Sequence, residues 1–71
     1  MSERMTPEIV RARVAGIRAV APKDDEAAHG AEDALYAALL RAIAEGRCDD
    51  VAQCAREALK TEEIDFARWC A

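Results

Sequence analysis

The sequence predicts an all-α fold: a small bundle of three helices followed by a short C-terminal helical turn. Two observations carry this expectation. Apolar residues recur at the spacing of a helix face in three separate stretches, and each stretch opens on a residue suited to cap a helix. The most apolar segment, residues 34–44, holds Arg41 as its one charge among ten apolar side chains. A helix that apolar needs cover on more than one side, and the rest of this short chain is placed to supply it.

The first helix is expected over residues 6–21. Thr6 caps it, Pro7 takes the first helical position where a missing N–H is harmless, and Glu8 suits the positive helix end. A turn of about 100° per residue gathers Ile9, Val10, Val14, Ile17, Val20 and Ala21 into one stripe. Arg11 and Arg18 fall on the opposite side. Ala12, Ala15, Gly16 and Ala19 form a separate strip of small residues, open to a close helix neighbour or simply exposed. Pro22 ends the helix by pushing the residue before it out of the helical region.

Helix 2 is expected over residues 25–45. Asp24 or Asp25 caps it, and Gly46 is its left-handed stop. Its main stripe is Ala28, Leu35, Tyr36, Leu39, Ala42 and Ile43, widened by Leu40 on one side and Ala31 on the other. Helix 3 is expected over residues 50–60, capped by Asp50 with Gln53 at capping-box spacing. Val51, Ala55, Ala58 and Leu59 should face inward, with Cys54 at the edge. In the tail, Asp65 can cap a final turn at about residues 65–70. Ile64 and Trp69 stand at staple spacing there, and Phe66 and Trp69 should fold back onto Leu35, Leu39 and Ile43.

Seventy-one residues make one domain, residues 1–71, with residues 1–5 expected to fray. Of the 52% apolar residues, 17 are alanine, so the buried area per residue is modest. Domains of this size are marginal alone, which brings a homodimer through the Ala-rich faces into consideration. Residues 1–20 contain four arginines and no continuous apolar run, and no segment reaches membrane-spanning length. The expectation is a cytoplasmic protein with no membrane contact.

Cys48, Cys54 and Cys70 are odd in number and form no C-x-x-C, which fits reduced thiols rather than a disulfide framework. A Cys3His zinc site with His29 would need short ligand knuckles that the spacing does not provide, so small buried hydrophobes are the preferred reading. Glu26 and His29 have the Glu-x-x-His spacing of di-iron bundles, but the chain supplies only half of that ligand set. His29 with a cysteine could form a thiol–imidazole pair, yet there is no oxyanion hole, phosphate loop or nucleophile elbow. No metal and no cofactor is expected, and no enzymatic activity.

Charge is uneven. The chain carries net −4, yet residues 1–23 hold five basic and two acidic side chains, while residues 24–71 hold five basic and twelve acidic ones. The polar front of helix 2 supplies the candidate interaction surface: Asp25, Glu26, His29, Glu32 and Asp33. It suits a basic partner surface, with ordinary solubility as the plain alternative. Arg11 and Arg18 form the candidate basic face for nucleic acid. Helix 3 is a poor recognition helix, because Asp49 and Asp50 precede it and would repel phosphate. Nucleic acid is accordingly the less favoured partner class.

Four segments together are distinctive: His29-x-x-Glu32-Asp33-x-Leu35, Leu40-Arg41-Ala42-Ile43-Ala44, Ala55-Arg56-Glu57-Ala58-Leu59-Lys60 and Ile64-Asp65-Phe66-Ala67-Arg68-Trp69-Cys70-Ala71. As a set, spanning about residues 24–71, they resemble a group of short helical proteins of actinobacteria and actinophages. The resemblance implies an origin and makes the tail a family hallmark; it implies no activity. The functional expectation is a non-enzymatic protein-interaction module, an accessory or regulatory protein acting on a protein partner. The alternative is a small nucleic-acid-binding regulator using helix 1.

Overall fold

The computed structural model describes residues 3–68. It contains α1 (Pro7–Val20), α2 (Asp25–Ala44) and α3 (Val51–Leu59), followed by a 3-10 turn at Lys60–Glu63. The fold is the expected small all-helical bundle, with a short helix at its C-terminal end.

The helix ends follow local chemistry. Ile9 N–H donates to Thr6 Oγ1 (3.2 Å), Ala27 N–H to Asp24 Oδ1 (3.0 Å) and Gln53 N–H to Asp50 Oδ1 (3.2 Å). Each bond satisfies a donor that a helix start leaves orphaned. Asp50 adopts a left-handed backbone (φ 55°), which aspartate tolerates because its side chain bonds locally. The Gln53 side chain turns away from Asp50 and donates instead to Glu57, so the capping box is half formed. At the end of α2, Gly46 takes φ 70°, Gly46 N–H donates to Ile43 O and Arg47 N–H to Ala42 O. Those two bonds make a Schellman stop, which requires the left-handed residue that glycine supplies.

The first helix is the hub. Its Val10, Val14, Ile17 and Ala21 are buried, and it packs on both other helices, whereas α2 and α3 touch each other less. From α2 come Ala28, Leu35, Leu39 and Ala42; from α3 come Cys54 and Ala58. Met5, Ile64 and Phe66 close the core from outside the helices. Ala12, Ala15, Gly16 and Ala19 are all exposed, so no helix among the described residues uses the small-residue strip.

Four expectations about the fold need correction. Residues 3–5 do not fray. Met5 N–H donates to Arg47 O (2.8 Å), Asp49 N–H donates to Met5 O (2.9 Å), and the Met5 side chain is buried. Arg4 adds an ion pair to Asp49 (2.6 Å), and Arg47 donates to Glu3 O (2.6 Å). The segment before α1 therefore pairs with the α2–α3 loop, which no local pattern announces.

The short C-terminal helix lies at Lys60–Glu63, earlier than expected, and residues 65–68 are not helical. Ile64 is extended (ψ 124°), and from there burial alternates: Ile64 in, Asp65 out, Phe66 in. That is the period of an extended segment, which drives both large side chains into the core. The expected packing of Trp69 lies outside the described residues.

Helix α3 is rotated from its expected setting. Cys54, Glu57 and Ala58 are buried, while Val51 and Leu59 are 46% and 53% exposed. Glu57 can take an inward position because its carboxylate is met by Arg11 of α1 and by its neighbours Gln53 and Lys60. Leu40, expected to widen the buried stripe of α2, is 66% exposed. It lies about 120° around α2 from the buried Ala28–Leu35–Leu39–Ala42 side, where no neighbouring helix covers it among the described residues.

Candidate functional site

The front of α2 divides in two. Asp25, Glu26 and Asp33 are exposed, as an interaction surface requires, and His29 is partly covered, its Nε2 lying 3.6 Å from Asp33 Oδ2. Glu32 is different. It is buried and cannot belong to an exposed surface, which corrects its assignment to the acidic patch. The reason is register: Glu32 stands between Ala28 and Leu35, on the stripe that faces the core.

Glu32 is held by the tail. Arg68 Nε donates to its Oε1 (2.9 Å) and Arg68 Nη2 to its Oε2 (3.0 Å), a two-pronged charge-assisted contact. The same guanidinium donates to Thr61 O (2.7 Å) and Ile64 O (3.2 Å), and lies 3.8 Å from the centre of the Phe66 ring. Burial alone would push the Glu32 carboxyl up, but Arg68 and the Thr61 hydroxyl outweigh it and hold it below the usual carboxylate range. The fully buried Thr61 pairs its hydroxyl with Tyr36 OH, which also reaches Ala58 O (3.5 Å). One chain of hydrogen bonds thus runs from α2 through the 3-10 turn to the tail.

That chain builds a wall. Tyr36, its hydroxyl turned toward Thr61, lines an open groove of about 270 Å³ between α2 and α3, with Leu39, Leu40, Ala55, Ala58 and Leu59. The groove exists because α1 draws α2 and α3 to itself without closing the space between them. Leu40 and Leu59 stand on its two rims and are both more than half exposed. On α2 the rim continues at heptad spacing from Leu40 to Asp33 and Glu26, both exposed. On the other side Glu62 follows Leu59 by three residues in a 3-10 turn, where such positions eclipse. The groove lining is apolar, and the exposed carboxylates of Asp33 and Glu26 follow Leu40 at heptad spacing toward the start of α2. The acidic residues at the front of α2 are visible in the sequence, whereas Leu40 and Leu59, expected in the core, are exposed.

On the basic face of α1, Arg11 and Arg18 are both exposed, and Arg11 also lies 3.4 Å from Glu57 Oε2. Lys60, Arg11 and Gln53 together hold the Glu57 carboxyl down at about 2. A carboxyl whose folded pKa lies below its unfolded value of about 4.3 adds stability that is present above that value and is lost as pH falls toward the folded one. Replacing Glu57 with glutamine is expected to lower stability at pH 7 and to flatten the decline between about pH 4.3 and pH 2. Urea titrations across that window check it, and a variant that retains the full acid dependence would place the dependence elsewhere.

Cys54 is fully enclosed, and burial together with the neighbouring Cys48 thiol pushes its pKa up to about 11, leaving it protonated and unreactive near neutrality. Among the described residues no three His, Cys, Asp or Glu side chains gather as a metal site. No helix among them is long and apolar enough to cross a membrane. Comparison with family models, with curated proteins and with solved structures finds no match. The functional reading therefore rests on geometry and chemistry.

Proposed function

We propose that this chain is a non-enzymatic interaction module that receives one amphipathic helix of a protein partner in the groove between α2 and α3. The observation that carries the reading is the exposure of Leu40 (66%) and Leu59 (53%) on facing rims of an apolar groove. Two large aliphatic side chains left in water at one place are the material of a docking surface, and a helix in a groove buries them without demanding hydrogen bonds from the receiver. The partner helix fits the position of a fourth helix in the bundle. Asp33, Glu26 and Glu62 at one end call for Lys or Arg at the corresponding end of that helix. A second copy of this chain is the poorer occupant, because each copy carries net −4 and would bring its own acidic rim. The competing reading, nucleic acid on α1, has less support because Arg11 is already engaged by Glu57.

Selection from a display library of helical peptides tests the proposal. The expected winners carry apolar residues at i, i+3 or i+4, and i+7, with basic residues at one end. Leu40→Asp should weaken their binding at least about tenfold, as loss of a central apolar anchor does, while leaving the fold intact. Peptides that bind the variant equally would remove the groove from the function. Concentration-dependent sedimentation abolished by Leu40→Asp would make a second copy the occupant. Salt-sensitive retardation of duplex DNA, lost in the Arg11→Glu/Arg18→Glu double variant, would favour the nucleic-acid reading instead.

A further inference from the structure

On the other side of α2 from the groove lies a cleft of about 380 Å³, lined by Glu3, Arg4, Met5, Ile9, Arg13, Ala38, Arg41 and Arg47. Four arginines converge on it from three places: the segment before α1, α1 itself, and α2 with its following loop. Two of them are committed, Arg4 to Asp49 (2.6 Å) and Arg47 to Glu45 (2.6 Å). Arg13 and Arg41 have no carboxylate within ion-pair distance among the described residues. Among the described residues Arg18, Lys23 and Arg56 also lack an ion pair; what sets Arg13 and Arg41 apart is that both line the same cleft. Their neighbours are apolar: Met5 is buried, and Ile9 and Ala38 are half-buried.

We infer that this cleft is a binding site for a small phosphate monoester. Arg13 and Arg41 take the phosphate, and Ile9 and Ala38 offer a floor to the organic part. A phosphate monoester carries roughly −1.5 to −2 charges near neutrality, which matches two unpaired guanidiniums, and arginine binds its oxygens in two-pronged fashion. A carboxylate would compensate only one of the two. A nucleic-acid strand fits poorly, because Glu3 lines the cleft and Glu45 and Asp49 are paired to two of its arginines, carboxylates that would repel the next phosphates along a backbone. Arg41 is the one charge in the apolar run 34–44, which is the sequence signal of this site. The cleft needs no part of the α2–α3 groove and stands whether or not that groove binds a helix.

The test is titration of the whole protein with phenyl phosphate, inorganic phosphate, phenol and a short single-stranded oligonucleotide, followed by amide chemical shifts. Phenyl phosphate is expected to saturate at about 1 mM or below and to move residues around Ile9, Arg13, Ala38 and Arg41. Inorganic phosphate should bind more weakly, and phenol should not bind. Arg13→Gln and Arg41→Gln should each weaken phenyl phosphate about tenfold, with amide spectra otherwise native; Arg18→Gln, on the exposed face of α1, should not. Absence of saturation by about 10 mM, or equal binding by the two variants, would overturn the inference. So would oligonucleotide binding that is tighter than the ester and depends on the same two arginines.

Discussion

Replacing Arg68 with methionine is expected to destabilise the domain by about 2 to 3 kcal/mol, because it leaves the Glu32 carboxylate buried with its main partner removed. The value sits below that for a fully enclosed pair, since Arg68 keeps 35% of its side chain exposed while Glu32 keeps 7%. In a domain of this size that is a fall in melting temperature on the order of 10 to 20 °C. The destabilised region should be specific. Arg68 also holds Thr61 O and Ile64 O, so the 3-10 turn and the tail should lose amide protection before α1 does. The double replacement Glu32→Leu/Arg68→Met should recover much of the loss, because it removes the orphaned charge together with its partner. A single variant that melts like the parent would show that water reaches Glu32 readily and that the pair is ornamental.

Leu35→Ala is expected to cost about 2 to 5 kcal/mol, the range for emptying an enclosed leucine site. Leu35 is fully buried and belongs to the core that α1 and α2 share. A core this small rarely supplies more than roughly 3 to 5 kcal/mol in total, so a large fraction of the variant should be unfolded at room temperature. Leu40→Ala, five residues along the same helix, should stay within about 0.5 kcal/mol of the parent, because Leu40 is 66% exposed. Denaturant titration of the two variants side by side checks the pair. Equal losses would mean that Leu40 is covered in solution, for instance by a second copy.

Those two leucines mark how far a sequence reading reaches. Both fit a broad apolar helix face, and the apolar run around Arg41 invites placing both inside. Periodicity separates inside from outside only when one face is apolar. In α2 alanine occupies much of the remaining surface, so the edge of the buried stripe is blurred. The α1 stripe has arginines opposite it and is sharply bounded; there Val10, Val14, Ile17 and Ala21 are buried as expected. Helix α3 shows the opposite error. Glu57, a carboxylate, is 4% exposed and Leu59 is 53% exposed. A residue scale orders them the other way, because it cannot know that Arg11, 46 positions earlier in the chain, arrives beside Glu57.

Local structure is encoded close to where it forms. The caps at Thr6, Asp24 and Asp50, the proline at position 7 and the glycine stop at position 46 act through atoms within a few residues of themselves, so the chain carries them wherever it folds. Long-range packing sets which charges are buried, which leucines remain outside, and which arginines line one cleft. The Glu32–Arg68 pair spans 36 positions and the Arg4–Asp49 pair spans 45. The apolar groove and the arginine-lined cleft are spaces between helices, set by how α1 divides its contacts between α2 and α3. A space between elements has no residue of its own, so neither site is written in any one segment. Each appears only when packing brings two faces side by side without closing them.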